Sequence, residues 1–286
     1  MDEKTRAMTS EESVLVVGLG EIGRPLYDIF SESKRFNVYG YDIDQSKSID
    51  KYDELPKPVD FLHIAIPFSD KFIDIAINYA EEFRPRLIFI HSTIAPGTIR
   101  KINDEIKIPI AYTPVRGKHP KIRRHLLFWT KWVTVLPLSQ LEGAVEHLRN
   151  VGFKVRPYMG SPESLELAKL WETIYRAVMI ASWQEIHRIA RRFGADIEAI
   201  AEFVGEVHEV LRDRPVYYPD YIGGHCLIPN TEILRSVFPS KLFDFIIESN
   251  KKRKEEIRQK DVCEEIKKVK NVALRLTNVE YYEVLD

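Results

Sequence analysis

Three groups of residues in this chain combine suitable types with suitable spacing for chemistry. The first is Gly18-Leu19-Gly20-Glu21-Ile22-Gly23, set between a Val-rich run, Ser13 to Val17, and an apolar helical pattern through Leu26, Ile29 and Phe30. In such a turn the first glycine permits the bend, the second lets the backbone approach a pyrophosphate, and the third lets helix and strand pack closely. The N–H groups at the helix start attract the anion. Asp42 ends the next strand-like run, 42 − 23 = 19 residues beyond Gly23. A carboxylate there accepts bonds from a ribose diol and repels a 2′-phosphate, which favours NAD over NADP. The competing reading is a glycine turn in some other doubly wound sheet.

The second group is Gly223-Gly224-His225-Cys226. Two glycines give a ligand close access to the chain, and a thiol beside them can attack an aldehyde carbon when its thiolate form is favoured. A buried structural cysteine explains the same residues equally well. His225 is adjacent, but neighbours in sequence often point apart, so no base is assigned. The third group is Lys169 with Glu166 at i−3 and Thr173 at i+4, which share one helix face. A solvated salt-bridge face is the ordinary explanation of such a trio. An ammonium that stabilises an alkoxide or oxyanion is the functional one, provided the face looks at a nicotinamide.

These groups need a scaffold. Strand-like runs at Ser13–Val17, Phe36–Tyr41, Val59–Ile66, Arg86–Ile90, Ile108–Tyr112, Trp132–Leu136 and Phe153–Val155 are interleaved with helical patterns. That alternation implies right-handed crossovers and a largely parallel sheet. Near Tyr158 the pattern changes. Ser161-Pro162-Glu163 is a helix start, and the periodicity runs to Phe193, where Gly194 supplies a stop. Some thirty residues at ~1.5 Å each make a rod of about 45 Å, long enough to cross a domain boundary or form a subunit interface. Helices are expected at Asp196–Leu211, Lys241–Lys260 and Val262–Val269, and a β-like segment at Val272–Leu285. The expected fold class is therefore α/β: a Rossmann-type doubly wound parallel sheet over residues 1–158, then an α-helical domain built on one long helix over residues 159–286.

Composition excludes several classes. The 286 residues carry 42 Lys plus Arg and 43 Asp plus Glu, a net charge of −1. That balance removes the simplest case for a nucleic-acid or anionic-membrane partner. With 44% apolar and 30% charged residues, the chain is too apolar for disorder. No run approaches the ~18 apolar residues of a membrane span, and the polar Met1–Glu12 segment is neither a signal nor a transit peptide. Two cysteines, Cys226 and Cys263, do not make a disulfide framework. A cytoplasmic protein with reduced thiols and no metal is expected.

Four stretches, in order, resemble the UDP-glucose/GDP-mannose dehydrogenase family. They are Val17 to Pro25 with Asp42; Ser92-Thr93-Ile94-Ala95-Pro96-Gly97-Thr98; Glu166-Leu167-Ala168-Lys169 with Tyr175-Arg176-Ala177; and Gly223 to Cys226. The Gly-Gly-His-Cys form looks most like members acting on UDP-N-acetylmannosamine. The resemblance implies an NAD domain, a central domain on a long dimerising helix, and two-step oxidation of a sugar alcohol to an acid. On that basis Cys226 would capture the aldehyde and Lys169 would stabilise the oxyanion. Thr93 would order water, and Pro67 and Ser92 would join Gly18, Gly20, Glu21, Ile22, Gly23 and Asp42 beside the cofactor. A small-molecule substrate, either a nucleotide sugar or another anionic hydroxy compound, and a homodimer are likewise implied.

The chain departs from the family pattern at three polar positions. Val115 follows Pro114 where the family has glutamate, Thr173 replaces asparagine, and Asn230 replaces aspartate. Only 286 − 250 = 36 residues follow Asn250, too few for the family's third, nucleotide-sugar domain. Arg116, Lys118 and His119 fall where the glutamate loop should be. They either hold a substrate phosphate or carboxylate or form a solvated basic loop. With Thr173, Gly223, Gly224, His225 and Asn230 they make the expected substrate-side set. A non-catalytic dinucleotide-binding partner protein and a 3-hydroxyacid dehydrogenase are the alternatives.

Overall fold

The computed structural model describes residues 12–117 and 121–276. The chain divides into two compact units, residues 1–169 and 170–286.

The first unit alternates strand and helix: β1 (Ser13–Val17), α1 (Gly23–Glu32), β2 (Asn37–Tyr41), β3 (Phe61–Ile64), α2 (Phe72–Phe83), β4 (Leu87–Ile90), α3 (Thr98–Glu105), β5 (Ile110–Tyr112), α4 (Ile122–Phe128), β6 (Lys131–Leu136), α5 (Leu141–Arg149) and β7 (Val155–Pro157). The sheet order is β2-β1-β3-β4-β5-β6-β7. Every pairing is parallel except β5 with β6. Both faces are covered, so the strands are apolar at successive positions. Val14, Val16, Phe89, Val133 and Val135 pack under α1, α4 and α5. Leu15, Val17, Ile64, Ile90 and Tyr112 pack under α2 and α3. This is the pattern expected of parallel strands buried on two sides.

The chain leaves β1 for β2 on one side and returns to β3 on the other. The crevice between β1 and β3, at their carboxyl ends, is the switch point where doubly wound sheets take ligands. Two local expectations shift. β7 starts at Val155 because Phe153 is drawn into the core. The basic stretch after Arg116 is not all loop, since Ile122, His125 and Leu126 are buried at i, i+3 and i+4 of α4. Lys118 and His119 lie outside the described residues.

α6 (Pro162–Phe193) begins in the first unit and continues into the second. The second unit adds α7 (Ile197–Leu211), α8 (Leu227–Val237), α9 (Lys241–Glu256) and α10 (Lys260–Arg275). α6 packs against α8 and α9 through Leu170, Ile174, Ala177, Leu234, Phe243 and Ile246. It packs against α7 and α10 through Trp183, Ala190, Ala201, Val269 and Val272. The β-like reading of Val272–Leu285 is corrected over its first residues. Val262, Ile266, Val269, Val272 and Ala273 are buried at helical spacing, and the helix runs to Arg275. Residues 277–286 lie outside the described residues.

Charged groups also tie α6 to α9 and α10. Arg253, 1% exposed, donates to His187 Nδ1 at 3.0 Å and to the Gln184 carbonyl at 3.0 Å. Glu256 and Glu265 balance Arg188, Arg191 and Arg253.

Candidate functional site

At the carboxyl edge of the sheet, each glycine of the first turn meets a different constraint. Gly18 has φ +85, and a Cβ there would lie 2.7 Å from Ile66 Cγ2. A Cβ on Gly23 would lie 1.7 Å from the Gly18 carbonyl oxygen, so the helix can approach the strand only without a side chain. A Cβ on Gly20 would meet nothing within 4 Å. Packing therefore demands Gly18 and Gly23, while the space over Gly20 stands open at the start of α1. Ile22, the N-cap of α1, makes no side-chain cap bond. An uncapped helix start beside open space suits an anion.

Asp42 closes this turn. Its Oδ2 accepts the Leu19 N–H at 2.7 Å and its Oδ1 accepts the Asp44 N–H at 2.8 Å. Each carboxylate oxygen retains a lone pair for a further donor, as a ribose diol requires. Ile43, next to it, is 86% exposed, a large apolar face that the sequence reading passed over. The only signal was its position after the strand-end acid. The residues thus fit a dinucleotide: an uncapped turn for the phosphates, an acid for a diol and an apolar surface alongside.

The later strand ends add to the same edge. Ser92 Oγ donates to the Ile66 carbonyl at 2.6 Å, tying the end of β4 to that of β3. Pro67 is exposed and Thr93 half-buried. Arg116 follows β5 and is not a freely solvated side chain. It donates to the Thr130 carbonyl at 2.5 Å and stacks on Trp129, with Cζ 4.9 Å from the ring centre.

Two of the trio on α6, Glu166 and Thr173, are buried and bond to backbone groups. Glu166 is fully buried and accepts the Gly97 N–H at 2.6 Å and the Ile99 N–H at 2.9 Å. It caps α3, whose N-cap residue, a glycine at φ +86, has no side chain to do so. Burial raises the Glu166 carboxyl pKa, opposed by these two backbone bonds. Glu166→Gln keeps one acceptor and loses the charge. It is expected to cost about 1–2 kcal/mol and to speed hydrogen exchange at the Gly97 and Ile99 amides. Unchanged exchange there would contradict this capping role. Lys169 is half-buried and is the last residue of the first unit.

Within the second unit, the Cys226 loop is held by Asn250, which the sequence did not single out. Asn250 Oδ1 accepts the Ile222 N–H at 2.7 Å and its Nδ2 donates to the Ile222 carbonyl at 3.1 Å. Gly224 takes φ +79. Cys226 is exposed, which removes the reading of it as a buried structural cysteine. It occupies the N-cap position of α8, where the helix dipole favours negative charge. His225, Gly223 and Gly224 are exposed with it. Thr173 and Asn230 are buried together. Asn230 Nδ2 donates to Thr173 Oγ1 at 2.9 Å, and that hydroxyl donates to the Leu170 carbonyl at 2.9 Å. They form a neutral, satisfied link between α6 and α8.

A doubly wound sheet with an open glycine turn, followed along the chain by a helical unit with an exposed thiol at a helix start, defines the class of fold: a Rossmann-type α/β unit with a helical second unit. Comparison with known proteins narrows it. Residues 163–252 match the UDP-glucose/GDP-mannose dehydrogenase family, central domain. The UDP-N-acetyl-D-mannosamine dehydrogenase of Methanocaldococcus jannaschii is 26% identical over 75% of this chain and 59% of its own length. That of Pyrococcus horikoshii is 23% identical over 78% of this chain and 64% of its own. The chain thus spans about six-tenths of the length of these relatives. The solved P. horikoshii UDP-D-ManNAc dehydrogenase superposes with a TM-score of 0.74 at 22% identity, over 84% of this chain and 68% of that one. A 3-hydroxyisobutyrate dehydrogenase from Mycobacterium tuberculosis superposes at 0.63 with 16% identity, over 83% of this chain and 91% of that one. The chain is therefore similar to members of this family, and residues 163–252 are the part that matches the family's central-domain model.

Proposed function

We propose that this chain is an NAD-dependent oxidoreductase acting on a CH–OH donor, related to the nucleotide-sugar dehydrogenases. One observation carries the reading: at the switch point of the sheet, an uncapped helix start faces open space over Gly20, and Asp42 closes the turn from behind. Gly18, Gly20, Glu21, Ile22 and Gly23 would hold the pyrophosphate of NAD, and Asp42 a ribose diol. Pro67, Ser92 and Thr93 would line the same edge. When bound, the cofactor supplies a hydride acceptor. The Lys169 ammonium would stabilise charge developing on the substrate oxygen, and the Cys226 sulfur would bond to the carbonyl carbon of an aldehyde. The exposed Trp171 and Tyr175 on α6, 46% and 53% accessible, favour a homodimer through this helix. The two free cysteines favour a reducing, cytoplasmic setting.

The test is the count of NADH formed per substrate with UDP-N-acetylmannosamine, UDP-glucose and GDP-mannose. Two NADH per substrate, falling below one-hundredth of that rate in Cys226→Ser, is the expected result. One NADH, indifferent to that substitution, would leave a simple alcohol dehydrogenase. NAD binding without turnover would leave a dinucleotide-binding partner protein. A second reading has its own support: this chain covers 91% of the 3-hydroxyisobutyrate dehydrogenase from M. tuberculosis. It predicts turnover of short 3-hydroxy acids, with Cys226→Ala near-silent.

A further inference from the structure

Lys131 opens β6, which runs antiparallel to β5. Its first residue therefore sits at the edge where β5 ends, the edge that carries the glycine turn, Ser92 and Thr93. Its side chain turns under the sheet on the side of Val133 and Val135 and is 4% exposed. The amino nitrogen has no hydrogen-bond partner among the described residues. The nitrogen lies over the Phe153 ring, 5.3 Å from its centre. With Val115, Arg116, His125 and Trp129 it lines a cavity of about 10 Å³.

Two cations meet here without a carboxylate. Arg116 spends one nitrogen on the Thr130 carbonyl, and neither Arg116 nor Lys131 forms an ion pair among the described residues. A buried unpaired ammonium is costly. The other titratable groups facing it are basic too: His125 of α4 lines the same cavity, and His63 of β3 and His91 after β4 feel its charge. Burial first and the Arg116 charge second bring Lys131 down to about 7. The protein alone relieves the conflict by letting Lys131 lose its proton. An anion would relieve it with both charges kept.

We propose that Lys131 and Arg116 form an oxyanion seat at the sheet edge, taking one terminal oxygen of a carboxylate or phosphoryl group on the substrate. The volume fixes the scale. About 10 Å³ holds one oxygen-sized group, so the rest of the anion lies outside, toward the edge. This deepens the dehydrogenase reading by naming the substrate's charge. It is tested without NAD, so its failure leaves that reading standing.

Because the seat charges Lys131 on binding, affinity is linked to proton uptake. Acetate and sulfate, standing for the two anion classes, are titrated into the cofactor-free protein by thermal shift below and above pH 7. At least one is expected to bind saturably, with affinity falling about tenfold per pH unit above 7; which of them binds names the class. Lys131→Met, which puts an apolar chain in an apolar site, is expected to abolish binding. Arg116→Gln, on the cavity rim, is expected to weaken it about tenfold and serves if the first variant misfolds. The seat is refuted if neither anion binds, if affinity ignores pH, or if both variants bind as wild type.

Discussion

Acidification from about pH 7.5 to about pH 5 is expected to remove about 6 kcal/mol of stability from the first unit. Three histidines lie buried under the α1 and α5 face of the sheet, in line. His63 Nδ1 is 2.9 Å from His91 Nε2, and His63 Nε2 is 2.9 Å from His147 Nε2. Phe89 stacks on His63 with ring centres 4.6 Å apart, and Phe61 on His147 at 3.8 Å. Burial is the main force holding all three neutral; it keeps His63 and His91 well below the usual imidazole range and takes His147 to about 3. Neighbouring charge acts the same way: for His63 it comes from His147, His91 and then Lys131, for His91 from Lys131 and then His147, and for His147 from Arg86.

The sign follows from where the protons go. Unfolded, each imidazole takes a proton near pH 6.5; folded, it does so only far lower. Stability is therefore intact above about 6.5 and falls with pH, by about 2 kcal/mol per histidine at pH 5. Three such losses approach the whole stability of an ordinary domain, ~5–15 kcal/mol. Urea midpoints followed by the fluorescence of Trp129 and Trp132 give the slope, and His147→Leu should reduce it by about a third. A flat profile down to pH 5 would show that the row is not held neutral by the fold.

Gly23→Ala is expected to weaken NAD binding at least ~100-fold, about 2.7 kcal/mol. The methyl would enter within 1.7 Å of the Gly18 carbonyl oxygen. That oxygen cannot yield easily, because Gly18 is fixed by its own N–H bond to the Tyr41 carbonyl at 2.9 Å. The start of α1 must move away instead, and the turn opens. The companion substitution separates packing from ligand. Gly20→Ala finds no neighbour within 4 Å, so thermal unfolding should stay near wild type while the methyl stands where the phosphates would lie. Wild-type NAD affinity in both variants would move the phosphates elsewhere.

The sheet was legible in the sequence because its strands are buried on both faces and bounded by glycine, proline or an acid. The glycine turn was legible because its neighbours on both sides agreed with it. Other features were hidden for identifiable reasons. The histidine row carries only a faint mark: His63 and His91 follow Phe61 and Phe89 at the two-residue spacing of one sheet face. What makes it a row is pairing between strands. Glu166 was grouped with Lys169 by helix spacing, whereas its partners are backbone amides of α3, 67 and 69 residues away. The helix after Cys226 went unseen because Pro229 and Asn230 look like loop residues, though proline is at home in a first helical turn. Lys131 reads as an ordinary strand-end lysine until burial is known.

The opening turns of α6 belong, by their contacts, to the sheet that precedes them. Leu165 sits in the core beneath α2 and α3, Glu166 supplies the cap that α3 lacks, and Glu163 pairs with Arg100 at 2.7 Å. A fragment cut where the sequence pattern changes, at residue 158, would forfeit a core side chain, a helix cap and an ion pair in a single excision. Anyone wishing to isolate the sheet-bearing unit should carry the chain on through Lys169.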